Sequence, residues 1–282
     1  MRPLLLCLLY GCLLAAAPSG PARLARPPER PVPVINDDNR PPPDAEQMGR
    51  LARERPLEFV EECLRRYRRD VRGYTLTMTK EERINGQLEK PEEMEVAFRE
   101  QPYSVALRWT QGVRRAERAV YVAGRNDDKL LVRPTPAWSL VARAAGRLDK
   151  DGVAAIDVDG DDARQSGRFT IKEFGMYNGL ARLLADWEAA DRRGTLHVEH
   201  LGEQEPEEAG GRRCHVLRRA DILKPERDGV TEQTVYIDAE TWLQVGSVAN
   251  GAAGLIGAYF YRDVKVNPEF PPDQFTRAAL KK

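Results

Sequence analysis

From residue 57 onward the apolar residues fall into two periods. Leu57, Val60, Leu64, Tyr67 and Val71 recur three and four apart, the spacing of one helix face, with Arg65, Arg66, Arg68 and Arg69 on the wet side. Residues 44–55 before them are also helix-compatible, Pro56 suits a first turn, and Gly73 is placed to end the helix. Glu58, Glu61, Glu62 and Asp70 are interleaved with the arginines, which reads as an ion-paired solvated face and not a phosphate site. The period then becomes two. Residues 74–80 alternate, Asn85-Gly86 is a hairpin signal, and 88–99 returns with Met94, Val96 and Phe98 on one face. Strands are expected at 103–109, 117–123 and 130–132, then a short helix at 138–145. The longest helical pattern is 171–190, where Leu180, Leu183, Leu184 and Trp187 share a face. Strands follow at 196–201, 212–219, 231–237, 242–248 and 256–266.

This order predicts an α+β fold: a large curved antiparallel sheet with two or three helices packed on it. Residues 119–122 (AVYV) and 256–261 (IGAYFY) are apolar on both parities, so both sheet faces should be covered. Helices would cover one. A second sheet layer, or a cavity for an apolar ligand, would account for the other. Candidate wall residues are Phe98, Leu107, Trp109, Val120, Val122, Tyr259 and Tyr261, with the inward parity left open. A ligand site of ordinary size should show as a cavity above about 300 Å³.

The first forty residues follow neither period. Residues 4–17 carry no charge and follow a single Arg2, the form of a secretory signal, which we place at 1–19. Cleavage after Ala17 or Ser19 fits. So does lipidation at Cys12, because Leu9-Tyr10-Gly11-Cys12 resembles a lipobox. Nine prolines between 18 and 43 exclude helix and inner strand and make 20–43 a semi-rigid linker or tether. The organisation is then signal 1–19, linker 20–43, one domain 44–275 and a basic tail 276–282.

Charge adds mostly exclusions. The 282 residues hold 44 Lys+Arg and 44 Asp+Glu, so no basic excess points to nucleic acid. No cofactor or metal motif is present. His197 and His200 are three apart on an expected strand and do not converge on one ion. Asp157-Val158-Asp159-Gly160-Asp161-Asp162 looks like a calcium loop, but its glycine is fourth and Arg168 stands at position twelve, so it reads as an acidic turn. No nucleophile, P-loop or dinucleotide motif appears, and no catalytic residue is assigned. Outside the signal two cysteines remain, Cys63 on a helix and Cys214 on a strand. In an oxidising compartment they form one disulfide or stay two buried thiols; the disulfide is the simpler expectation.

Several motifs in fixed order resemble a known family. Cys63 and Tyr74 are followed by Glu81-x-Arg83, Asn85-Gly86 and Pro102-Tyr103-Ser104-Val105. Glu117-x-x-x-Tyr121-Val122-x-Gly124-Arg125-Asn126, Ile171-x-Glu173-x-Gly175 and Cys214 come next. Tyr259-x-Tyr261-x-Asp263-Val264-x-Val266-Asn267-Pro268 and Phe275 close the series. Together these are similar to the domain of unknown function 1571 family of planctomycete exported proteins, over about 57–275. Gln244-Val245 depart from it, where the family more often has proline. Tyr236-Ile237-Asp238-x-x-Thr241-x-Leu243 is similar to LolA/LolB-like lipoprotein carriers and the RseB sensor domain. That second resemblance implies an incomplete barrel in the periplasm or cell envelope, binding a lipid, an acylated protein or another apolar ligand. The alternative is an envelope structural or sensor domain with a protein partner; a hydrolase is the third reading.

Overall fold

The structure is a computed structural model and describes residues 41–164, 166–220, 222 and 229–281. The signal segment, Cys12 and linker residues 20–40 lie outside the described residues. Helices α1 (Ala45–Glu54) and α2 (Pro56–Asp70) lead into β1 (Gly73–Ile84), β2 (Gln87–Leu88), β3 (Glu92–Arg99), β4 (Ser104–Gln111), β5 (Ala116–Val122) and β6 (Lys129–Pro134). Then come α3 (Pro136–Ala144), β7 (Ala154–Asp157), α4 (Asp161–Arg164) and α5 (Met176–Asp191). The chain ends with β8 (Val198–Gln204), β9 (Cys214–Arg219), β10 (Val230–Asp238), β11 (Gln244–Gly251) and β12 (Gly254–Val266). The sheet runs β7-β6-β5-β4-β3-β1-β12-β11-β10-β9-β8, with β2 on β1. Every pairing among the described residues is antiparallel. Two meanders are thus joined where β1 pairs β12. The ends β7 and β8 do not meet, so the sheet stays open.

Local chemistry explains several element ends. Asp44 and Gln47 form a capping box for α1, and Pro56 occupies the first turn of α2. Asn85 and Gly86 both have positive φ, as the tight β1–β2 turn demands. Gly73 does not end α2, which stops at Val71. It opens β1, where a Cβ would meet the Phe98 carbonyl oxygen at 2.6 Å. The expected helix over 171–190 is divided. Thr170 and Glu173 cap a single 3₁₀ turn, Ile171–Glu173, and α5 begins only after Gly175 at φ 108°. A Cβ on Gly175 would stand 3.2 Å from the Phe98 ring and the Tyr74 hydroxyl.

The sheet's two faces are packed differently. Helices α1, α2 and α5 lie on one face, where Met48, Phe59, Leu64, Leu180, Leu184 and Trp187 meet Leu217, Val235 and Ile237. On the same face Tyr74, Leu76, Met78, Met94, Val96 and Phe98 form an adjoining cluster. Among the described residues the opposite face has no second sheet layer, and its cavity of about 420 Å³ mixes Ala97, Ala106 and Val120 with charged Glu95, Arg108, Arg118, Asp263 and Lys265. C-terminal residues Phe270, Phe275 and Leu280 cover Ala97, Ala106, Val120, Val122 and Leu131 there. Residues 276–281, expected as a tail, therefore pack onto the domain, and Leu280 is fully buried.

The disulfide expectation is corrected. Cys63 and Cys214 are separate buried thiols. Cys63 belongs to the helix-side core. On β9 the parity that turns His215 and Leu217 toward the helices turns Cys214 the other way, against Ala209 and Val245. The sheet stands between the two sulfurs. Burial pushes the Cys63 thiol up, and the Cys214 thiol up to about 12.

Candidate functional site

Between the helix-side sheet face and α5 lies a cavity of about 220 Å³. Its floor is built by alternate residues of neighbouring strands: Met78 of β1, Met94 of β3, Leu107 and Trp109 of β4, Tyr259 and Tyr261 of β12, and Ser247 and Ala249 of β11. The register sets Met78 opposite both Met94 and Tyr261, and Met94 opposite Trp109, so these side chains share one face by the two-residue period. The roof comes from the connection before α5 (Phe169, Ile171, Phe174) and from Leu183. Gly179 lets α5 approach β11, since a Cβ there would meet Gln244 Oε1 at 2.7 Å.

The cavity's rim is ionic. Lys80 Nζ lies 3.1 Å from Glu82 and 3.3 Å from Glu92, and Arg114 lies 3.1 Å from Glu92 and 2.8 Å from Glu89. The Tyr259 hydroxyl donates to Glu82 Oε1 at 2.7 Å. Burial opposes ionisation of Glu92, but the Arg114 and Lys80 cations outweigh it and hold its carboxyl below the usual range. Burial, and then Glu82, raise the Tyr259 hydroxyl well above its ordinary value; burial pushes that of Tyr261 up to about 12. Both phenols stay neutral donors at physiological pH. Arg168, Arg182 and Arg219 also line the cavity, as do Glu173 and Asp186, so the polar lining is mixed in sign.

Of the seven sequence-predicted wall residues, Leu107, Trp109, Tyr259 and Tyr261 line this cavity. Phe98 points to the same face but is spent in the core. It stacks on Tyr74 with centroids 4.8 Å apart and meets Tyr103 edge-on at 5.2 Å. Val120 and Val122 point to the opposite face, under the C-terminal segment. Sequence reasoning missed the roof, because it ran 171–175 into the helix and assigned no element to 167–170. It also missed Lys80, Glu82 and Glu92. Their signal was present: charged residues continue the apolar parity of β1 and β3.

Several motif residues prove to be fasteners. Arg83 donates to the carbonyls of Leu255, Gly86 and Ala253, each at 3.0 Å, tying two hairpin ends together. Asn267 accepts from the Arg72 amide and donates to the Asp70 carbonyl, both at 2.7 Å. Lys172 bridges Asp128 at 2.9 Å and Asp159 at 3.0 Å, which gives the acidic turn a cationic partner in the chain itself. That hydrogen bond to Lys172, with those from Tyr121 and Gly124, lowers the Asp128 carboxyl to about 2.

An open antiparallel sheet with helices on one face and a cavity between them defines the class: an α+β incomplete barrel. The chain belongs to the family described as "Protein of unknown function (DUF1571)", which it matches over residues 71–280. No curated protein matches it. Among solved structures, MucB is 16% identical with a TM-score of 0.43, covering 77% of this chain and 62% of MucB. The chain thus spans about three fifths of MucB's length. The lipoprotein LppX of Mycobacterium tuberculosis is 11% identical, with a TM-score of 0.40, covering 77% of this chain and 98% of LppX. A LolA superfamily protein from Nitrosomonas europaea is 10% identical, with a TM-score of 0.34, covering 78% and 98% respectively. None of these likenesses assigns a function to this chain. Among the described residues no helix is long and apolar enough to cross a membrane.

Proposed function

We propose that the protein is an exported binding protein of the cell envelope that holds an apolar chain, from a lipid or an acylated protein, between α5 and the sheet. One observation carries this reading. Met78, Met94, Leu107, Trp109, Tyr259 and Tyr261, from four strands, line a space that the core leaves unfilled. Interiors are otherwise close-packed, so an unfilled apolar space of this size is a place where ligand methylenes would add about 0.8 kcal/mol each. At about 220 Å³ it falls below the roughly 300–1,000 Å³ usual for ligand pockets. A whole acyl chain therefore requires the roof residues Phe169, Ile171 and Phe174 to swing away, while the sheet floor stays fixed. The mixed-sign lining sets no headgroup preference.

The test is a fluorescence titration of the full chain with cis-parinaric acid, a polyene fatty acid. Saturable binding is expected, weakened about tenfold by Ala249→Phe, which fills the floor, with the circular dichroism spectrum unchanged. No saturable binding by the wild type overturns the reading. A protein partner is the second reading, because β8 ends the sheet and exposes an edge to strand addition. Ligand binding indifferent to Ala249→Phe would favour it.

A further inference from the structure

Helix α3 is built inside out. Its least exposed positions are Ser139 and Ala142, facing β6, whereas Ala137, Leu140, Val141 and Ala144 all face solvent. Those four are spaced i, i+3, i+4, i+7, the apolar stripe that a helix normally turns toward a core. Leu140 is 72% exposed and Val141 57%. No residue of the helix is buried. Trp138 flanks the stripe at 39% exposure, with the Arg115 guanidinium 4.9 Å from its ring centre. The Arg115 carbonyl accepts from the Thr135 amide at 2.9 Å, which brings the β4–β5 turn, with Val113 40% exposed, beside the start of α3. Leaving such a stripe in water is unfavourable, and none of the described residues buries it.

The charge around the stripe identifies what would cover it. Between Asp128 and Asp149 the chain has no carboxylate and carries Lys129, Arg133, Arg143 and Arg147. The next carboxylates along the chain, Asp149 and Asp151, are both engaged by Arg277. The surface therefore combines a short apolar helix, a tryptophan at its border and a chain segment rich in cations, with Glu117 on the neighbouring strand β5 as the nearby carboxylate. That combination suits the interfacial plane of an anionic bilayer, where apolar side chains enter the acyl boundary, the indole sits at headgroup level and arginines meet lipid phosphates. We propose that α3 with the β4–β5 turn is a membrane-docking surface, which seats the domain on a bilayer containing anionic phospholipid. This surface is distinct from the cavity, and the proposal does not depend on what the cavity holds.

The experiment is vesicle co-flotation of the full chain, using phosphatidylcholine with and without phosphatidylglycerol. It is combined with quenching of tryptophan fluorescence by brominated lipids. The apolar residues 4–17 can bind vesicles on their own, so the readout is the difference between variants. Binding is expected to strengthen with phosphatidylglycerol, to weaken with salt, and to fall about tenfold in Leu140→Glu/Val141→Glu. Both positions are exposed, so folding should be unaffected. Quenching should vanish in Trp138→Phe, since Trp138 is the most exposed of the four tryptophans. Flotation unchanged by Leu140→Glu/Val141→Glu, or quenching that survives Trp138→Phe, overturns the proposal. So does a wild-type chain that ignores vesicles, including one that instead self-associates through α3.

Discussion

At the scale of single residues, the buried ions carry the sharpest expectation. Lys80 is 13% exposed at its side chain and sits between Glu82 and Glu92, at 4% and 6%. Removing one member of such a group leaves charge buried without its partner. Lys80→Met should lower unfolding stability by about 3 kcal/mol in urea melts. Lys80→Met with Glu82→Gln should recover part of that loss, and equal losses would mean that the pair is uncoupled. The cysteines give a second test. Cys63 and Cys214 lie on opposite faces of the sheet with raised thiol pKa values. Peptide mapping of the folded chain should find both unbridged and alkylated only after denaturation. A bridged Cys63–Cys214 peptide would contradict the packing described here. The sequence offered two cysteines and a compartment, but not the parity of β9 that separates them.

At the scale of elements, strand positions were legible because half-buried strands write their period into the chain, and α2 because its apolar residues recur every three or four. The break before α5 was not, because Gly175, at φ 108°, leaves no room for a Cβ against Phe98 and Tyr74, residues far off in sequence. Gly175→Ala should cost about 1–3 kcal/mol by thermal or chemical denaturation, whereas Gly124→Ala, with nothing within 4 Å of its Cβ site, should carry only the strain of its left-handed φ of 71° and no clash. Helix α1 rests over an imidazole pair, His215 buried and His200 half-buried. His200 and His215 have ring centres 5.5 Å apart, and Phe59 of α2 meets His215 edge-on at 5.5 Å. Burial lowers both pKa values. His215 and Arg53 lower His200 further against Glu203, while for His215 Glu203 opposes and Arg213 and Arg53 add. A histidine whose native pKa is depressed contributes stability above its unfolded value of about 6.5, and that contribution is lost as pH falls below it. Protection factors of α1 amides, corrected for the pH dependence of intrinsic exchange, should therefore be lower near pH 5 than near pH 7. His215→Phe should flatten that difference; protection factors independent of pH would remove the pair from any role in seating α1.

For the whole molecule, the sequence established the α+β class and the covered faces but not which face meets α5 and its cavity. Residues 119–122 are all buried, so alternation could not choose between Val120 and Tyr121. The choice is made by α2 and α5, which pack on one side only, while C-terminal residues pack on the other. The roof over 166–175 was illegible for a related reason: it is held by long-range bonds, such as those from the Tyr103 hydroxyl to the carbonyls of Ile171 at 2.7 Å and Phe174 at 3.0 Å. The central claim is that the space beneath this roof takes an apolar chain. Native mass spectrometry of the purified full chain, followed by organic extraction, tests it most directly. One apolar species per chain should co-purify with the wild type and be depleted in Ala249→Phe. A wild-type chain of bare polypeptide mass, yielding no extractable lipid, would contradict it.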